Sequence, residues 1–422
     1  MKIAKPHIGT AFFLTILLAS ALKDDAEVLA NSAHWAEMTV HPIIALFKEY
    51  SILFLVASGA IGAIILTMYK SWSFRTSNAA ILISILIFFP ILRSVYFDAE
   101  AAQKLFQAFT LTFFVLVVGW RIAATYGPAA LKRDLANAFY WFSIILVAGN
   151  AVNAALGHGF APNNPRLFGT SAHPNFLGVQ LAICNIVIAT KIVEFSFSRW
   201  KQHVIPIFIL AVGLIALLLT GSRTGFLVMA AGMSTLWLTK RKFRIDIWLI
   251  ILVLILGVFF IFLLFNADTG SSFYRGQDGA NTRSEAWDSM LALIKQNPWN
   301  GTGYFTGYSE NSYLRSMVAF GIPYGIFLII ALIYIEIILL RLSWKCRNAP
   351  TSPEHLYLSL MTAIMLGGFF EGYLIDSWSV PRLTLILLTL ACIYQRSSPS
   401  NFSARRNHHH PTPSAPTEYG PS

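Results

Sequence analysis

Run after run of apolar sequence leaves this chain few ways to fold. A bilayer interior offers no water to unpaired backbone groups, so such runs become helices, and polar chemistry is left to loops or protein-lined cavities. Twelve spans are read, at 8–22, 51–69, 79–97, 105–126, 137–156, 174–193, 203–220, 223–239, 246–265, 317–340, 357–374 and 381–395. The longest connection is a polar, Gly- and Arg-bearing segment from Asn266 to Arg315. The expected fold is therefore all-α. A polytopic bundle of about 12 transmembrane helices fills 1–395, a large loop with short helices is inserted at 266–316, and a disordered tail occupies 396–422. A polytopic protein with one such loop is expected to keep its chemistry there.

Composition agrees. The chain is 56% hydrophobic and 12% charged, whereas soluble domains carry about 25% charged residues. The net charge of +11 needs no nucleic-acid partner, because Lys and Arg lie in short loops between spans, as the positive-inside rule requires. Cys184 and Cys392 lie in apolar runs and Cys346 in a basic loop, so no disulfide framework is expected.

Charge also sets the expected sidedness. Lys2 and Lys5, Lys70 and Arg75, Lys132 and Arg133, Arg199 and Lys201, the Lys240–Arg244 cluster, Arg341, Lys345 and Arg347, and Arg396, Arg405 and Arg406 fall on one side. The other side receives Asp24, Asp25, Glu27 and Glu37, then Asp98 and Glu100, the Arg166 loop, the Gly221–Arg223 turn, the long loop and Asp376. Both termini are expected in the cytoplasm and the long loop outside it. Residues 1–21 also resemble a signal peptide, with Lys2, Lys5 and Ala19-Ser20-Ala21, but a polytopic chain needs no cleavage and they are read as a retained first helix. The turn at Gly221-Ser222-Arg223 could instead be a kink in one long helix. The tail's His408-His409-His410 run reads as a solvated segment rather than a metal site.

Within the loop, Thr282 to Asn297 reads as a helix opened by a Thr282/Glu285 capping box. Trp287, Met290, Leu291 and Ile294 form an apolar stripe for the membrane surface or the bundle top, and Asn297-Pro298 ends the helix. Arg283 sits in the first turn, where the helix dipole disfavours a cation by about 0.3–1 kcal/mol. An anionic partner is implied, either a ligand or Glu285 or Asp288. The glycine-rich Trp299-Asn300-Gly301-Thr302-Gly303-Tyr304 segment would let backbone approach a ligand beside aromatic faces suited to sugars. Ser309-Glu310-Asn311-Ser312 caps the next helix, which Gly321-Ile322-Pro323 breaks. A carboxylate at a helix N-terminus stays ionised, so Glu310 is either a proton acceptor or an ordinary capping acid.

Two earlier loops belong to the same expected face. Arg166 precedes Gly169-Thr170-Ser171-Ala172-His173-Pro174-Asn175, and Arg223 lies in Gly221-Ser222-Arg223-Thr224-Gly225. Interfacial arginines are commonly snorkelling anchors. Yet Arg166, Arg223, Arg275, Arg283 and Arg315 all face outward, against the rule that governs the rest. Together they suggest a phosphate-bearing ligand, since a guanidinium binds phosphate oxygens bidentately and keeps its charge. No HExxH, paired-Cys, Walker or dinucleotide motif is present, so neither metal nor cofactor is expected and the substrate must carry the reaction's energy.

These motifs resemble those of the O-antigen ligase and polysaccharide polymerase family of bacterial membrane glycosyltransferases. The match runs through Gly169-Thr170, His173-Pro174-Asn175, Gly221-Ser222-Arg223-Thr224-Gly225, Arg283 with Trp287, Asn297-Pro298-Trp299-Asn300-Gly301-Thr302-Gly303, and Asn311 with Tyr313, Leu314, Gly321 and Gly325, over roughly residues 140–345. The resemblance implies a multi-helix fold, one large periplasmic loop and a glycan donor on undecaprenyl pyrophosphate. It also implies that arginines matching Arg223 and Arg283 hold the pyrophosphate without a metal. Family ligases carry a His where this chain has Glu310, which favours a polymerase of lipid-linked repeat units over a ligase to lipid A core or protein.

On this reading Glu310, Arg223 and Arg283 are catalytic, while Arg166, His173, Asn175, Arg275, Tyr304, Asn311 and Arg315 contact substrate. The expected partners are the lipid-linked oligosaccharide and the bilayer, with a chain-length regulator and a flippase as further candidates, in the bacterial inner membrane. The competing class is a transporter, which suits twelve spans with both ends inside. It predicts midplane ionisable residues and repeated halves, whereas Arg121, Lys191, Glu194 and Glu336 lie near the cytoplasmic ends of spans.

Overall fold

A computed structural model describes residues 8–22, 41–67, 78–97, 99–161, 164–171, 173–192, 200–239, 282–303, 310–349, 352–374 and 378–393. They form helices α1 (Ile8–Ala21), α2 (Pro42–Glu49), α3 (Ser51–Thr67), α4 (Asn78–Phe97), α5 (Ala99–Tyr126) and α6 (Pro128–Ala155), then a hairpin of β1 (Phe160–Ala161) and β2 (Asn164–Leu167). There follow α7 (Pro174–Ile192), α8 (Trp200–Thr220), α9 (Arg223–Thr239), α10 (Thr282–Gln296), α11 (Ser312–Phe320), α12 (Ile322–Lys345), α13 (Pro353–Gly367) and α14 (Val380–Ile393). Proline opens α2, α6, α7 and α13, a position where its missing N–H costs nothing.

The protein is a helical membrane protein. Among the described residues, five helices are long and apolar enough to cross a bilayer, or six if α2 and α3, bent by 50°, make one span. α1 and the apolar part of α14 are shorter. Each predicted span within the described residues is wholly or largely helical, and 246–265 lies outside them. The expected count of twelve is thus not reached among the described residues. Two further differences have local causes. The span expected at 357–374 stops as a helix at Gly367, because Gly368 begins a tight turn. The helix expected before Gly321 is a separate short element, α11, rather than the start of a span.

α7 is the centre of the bundle and is buried along nearly all its length. α8 packs against it on one side and α9 on another, so the chain passes over the end of α7 at Gly221-Ser222. The possible kink there is a true turn, with Gly221 at φ 59°. α9 approaches α7 closely at Gly225, where a Cβ would lie 2.8 Å from the Gly178 carbonyl oxygen. Any larger residue would push the two helices apart. α13 covers the other flank of α9.

Of the segments predicted to share one face, the described parts of the Arg166 loop, the Gly221–Arg223 turn and the start of α10 lie at one end of this bundle, where the contacts of Arg166, Thr224 and Arg283 are made. The opposite end holds Lys132, whose Nζ meets Glu354 Oε1 at 2.6 Å, and buried His355 beside Ser343 at 2.8 Å.

Candidate active site

The first turn of α9 faces two ways. Ser222 Oγ accepts the Gly225 N–H at 3.1 Å and so caps the helix start. Arg223 is then exposed while Thr224 is buried. Thr224 Oγ1 donates to Glu371 Oε1 at 3.2 Å and accepts from Arg283 Nη2 at 3.0 Å. The same Nη2 meets Glu371 Oε1 at 3.0 Å. The anion that the sequence demanded beside Arg283 is therefore neither Glu285 nor Asp288, both exposed, but a carboxylate 88 residues away.

α10 is fixed in place by its apolar face. Met290 and Ile294 are buried against Val318 of α11, with Trp287, Leu293, Leu314 and Met317 around them. The expected stripe is thereby corrected at Leu291, which is 43% exposed. Buried Ala286 and half-buried Leu293 sit nearer the face centre at a helical step of 100°.

Glu371 lies in the loop beyond α13, and only 3% of it is exposed. Ser312 Oγ donates to its backbone carbonyl at 2.6 Å, tying this loop to the start of α11. Burial pushes the Glu371 carboxyl up to about 7; Arg283 and Thr224 pull it down, and the negative charge of Glu310 raises it further. Glu310 itself is partly exposed and directly precedes the cap of α11. The site thus joins an arginine, a hydroxyl and two carboxylates of unequal exposure, a set that can bind an anion and move a proton.

Of the other predicted contacts, Asn311 is the helix cap. Its Oδ1 accepts from the N–H groups of Tyr313 and Leu314, both at 3.0 Å, and its φ of 61° is one that Asn tolerates better than most residues. Arg315 is partly buried on α11. Arg166, His173 and Asn175 form a separate knot. Arg166 Nε donates to the Thr220 carbonyl and Nη2 to Asn175 Oδ1, each at 2.7 Å, while His173 Nδ1 accepts the Asn175 N–H at 3.1 Å. These three hold the hairpin to the ends of α7 and α8. Arg275 and Tyr304 lie outside the described residues.

The glycine-rich segment serves the fold. As α11 ends, its last carbonyls lose their helical donors, and Thr302 and Gly303 supply N–H groups to Val318 and Ala319 at 2.7 and 2.8 Å. In return the Ile322 N–H reaches the Pro298 carbonyl at 2.8 Å. A Cβ on Gly321, whose φ is 88°, would lie 2.1 Å from the Trp299 carbonyl oxygen, so this junction requires glycine.

A family model described as O-antigen ligase matches residues 208–330. That segment of the chain is similar to the O-antigen ligase family. The matched segment contains Arg223, Arg283 and Glu310 and runs from within α8 into α12. No curated protein matches the chain. Two members of the site were not joined to Arg283 by the sequence reading. Thr224 was visible only as part of the Gly221–Gly225 motif, and Glu371 only as a carboxylate near the outer end of a span, the alternative to Glu310 as base; it falls outside the O-antigen ligase match, where no local pattern ties it to Arg283.

Proposed function

We propose that this chain polymerises oligosaccharide repeat units carried on undecaprenyl pyrophosphate, at the periplasmic face of the bacterial inner membrane and with both termini cytoplasmic. The observation that carries this reading is the meeting of Arg283 with the first turn of α9 and two carboxylates at one end of the bundle. An acceptor sugar hydroxyl attacks the anomeric carbon of the donor. A new C–O bond forms, the bond from that carbon to the pyrophosphate oxygen breaks, and undecaprenyl pyrophosphate leaves. Glu310, the more exposed carboxylate, takes the hydroxyl proton. Arg283, with Arg223 beside Thr224, stabilises the charge growing on the leaving group. The energy comes from the donor bond, and no step is assigned to a metal. A chain-length regulator and a flippase are the expected companions.

The O-antigen ligase description favours a second reading, transfer of finished glycan to lipid A core or protein. Gene deletion separates the two: accumulated lipid-linked single repeats mean a polymerase, and full-length polymer left on its carrier means a ligase. Sidedness is tested by Ser284→Cys, an exposed position on α10, in a background lacking Cys184, Cys346 and Cys392. Labelling by a membrane-impermeant thiol reagent in cells with a permeabilised outer membrane supports the periplasmic site, and labelling only after lysis overturns it.

A further inference from the structure

Arg283 is held in an uneven way. Of its guanidinium nitrogens, Nη2 alone is engaged among the described residues, and it is engaged twice, by Glu371 Oε1 and Thr224 Oγ1, both at 3.0 Å. Thr224 and Glu371 are themselves bonded at 3.2 Å, so the three groups close a triangle. Phe370 adds a third support, its ring centroid 5.8 Å from Cζ. The supports come from α9 and from the loop after α13, whereas Arg283 stands on α10. The Arg283 side chain nonetheless keeps 31% exposure, against 4% for the Glu371 side chain. One amino group of the planar guanidinium is anchored in the protein while part of the side chain stays open to solvent.

A guanidinium offers five N–H donors in a rigid fork. Anchoring Nη2 at two acceptors fixes the plane and the directions of the remaining N–H groups, and it removes much of the rotamer freedom that a long side chain would lose on meeting a ligand. A charged anchor alone would attract Arg283 from many directions. A carboxylate oxygen and a hydroxyl converging on one nitrogen allow essentially one.

We propose that Glu371 and Thr224 are positioning residues for Arg283, anchoring its Nη2 so that the N–H groups on Nη1 and Nε are held in fixed directions for the oxygens of a pyrophosphate diester. The inference rests on the reading of Arg283 as a donor ligand, and it adds that reach and direction at Glu371 matter more than its charge. Its raised protonation range fits, since a carboxyl that is partly neutral near pH 7 still offers an oxygen to both partners.

The test measures binding of a short-chain polyprenyl pyrophosphoryl sugar, a diester whose charge is constant across neutral pH, to the purified full-length protein in detergent. Thr224→Val keeps the shape and removes the hydroxyl. Glu371→Asp keeps the charge but shortens the reach by one methylene. Each is expected to weaken binding about tenfold, the scale of one hydrogen bond to a charged group. Glu371→Gln keeps the reach without the charge, and it is expected to restore most of the affinity that Glu371→Asp loses. In an Arg283→Ala background, Thr224→Val and Glu371→Asp should change binding no further, the coupling expected of groups that act through one another. Equal losses with and without Arg283, wild-type affinity in both variants, or a loss in Glu371→Gln as large as in Glu371→Asp would each overturn the positioning role. If Thr224→Val does not fold, the Asp and Gln pair decides alone. Failure of the wild-type protein to bind the probe would instead remove the pyrophosphate reading of Arg283 on which the inference stands.

Discussion

Arg166 and Arg283 sit on opposite sides of the Gly221-Ser222 turn, and the protein uses them differently. Arg166 is 8% exposed and spends Nε and Nη2 on the Thr220 carbonyl and Asn175, clamping a hairpin to two helix ends. Arg283 spends only Nη2 among the described residues and leaves part of its guanidinium in the open. Both looked alike as outward arginines. What separates a structural arginine from a ligand-binding one is how many of its donors the fold has already satisfied, and with how much burial.

Glu310→Gln should show the largest difference between the two sides. Proton transfer by a positioned side chain contributes about 10²–10⁴-fold, so turnover of lipid-linked substrate should fall by that order in the purified variant. Abundance in the membrane should stay normal, because Asn311 and not Glu310 caps α11. Wild-type turnover in Glu310→Gln would move the proton acceptor elsewhere on the Arg283 side, with Glu371 next to test.

Arg→Lys at the two arginines should then break in opposite directions. Arg283→Lys keeps the charge but loses the fork, and loss of one such donor costs about 10²-fold in rate. The protein should remain folded, since Arg283 is partly exposed. Arg223→Lys, exposed beside it, should follow the same pattern. Arg166→Lys can satisfy one of two buried acceptors but not both, which costs on the order of 1–3 kcal/mol of stability. Its yield and apparent melting temperature should drop while turnover per folded molecule stays close to wild type. Low turnover with normal stability in Arg166→Lys would erase the contrast and return Arg166 to the substrate site.

The contrast also marks where sequence reading stops. Helices were legible because lipid leaves apolar runs no other structure, and the turn at Gly221 and the break at Gly321 were marked by glycine and proline. Arg223, Arg283 and Glu310 were legible as charges in costly places. The Arg283–Glu371 contact was not, because it links α10 to a loop 88 residues away and only packing chooses among several nearby acids. The Thr302 and Gly303 contacts to α11 were hidden for a related reason. A glycine-rich turn looks the same whether backbone approaches a ligand or another stretch of backbone.

The smallest expected effect concerns pH. The Glu371 carboxyl is pushed up to about 7 from an ordinary 4.5, chiefly by burial, so the fold favours its neutral form. The corresponding stability is fully present below the unfolded value near 4.5 and is lost as pH rises through about 7. The groups facing this carboxyl are Arg283 of α10, Thr224 of α9, Glu310 ahead of α11, and Tyr373 of its own loop, whose phenol burial keeps well above its usual range and so protonated throughout this window. The apparent melting temperature of the purified protein should decline from about pH 5 and level off in a bend near 7. Glu310→Gln removes a neighbouring negative charge and should move that bend to lower pH. Arg283→Gln removes the favourable cation and should move it higher. Arg166→Lys, on the other side of the turn, should lower the whole curve and leave the bend where it was. A bend that shifts with Arg166 and ignores Glu310 would mean that the two arginine groups are one network and not two.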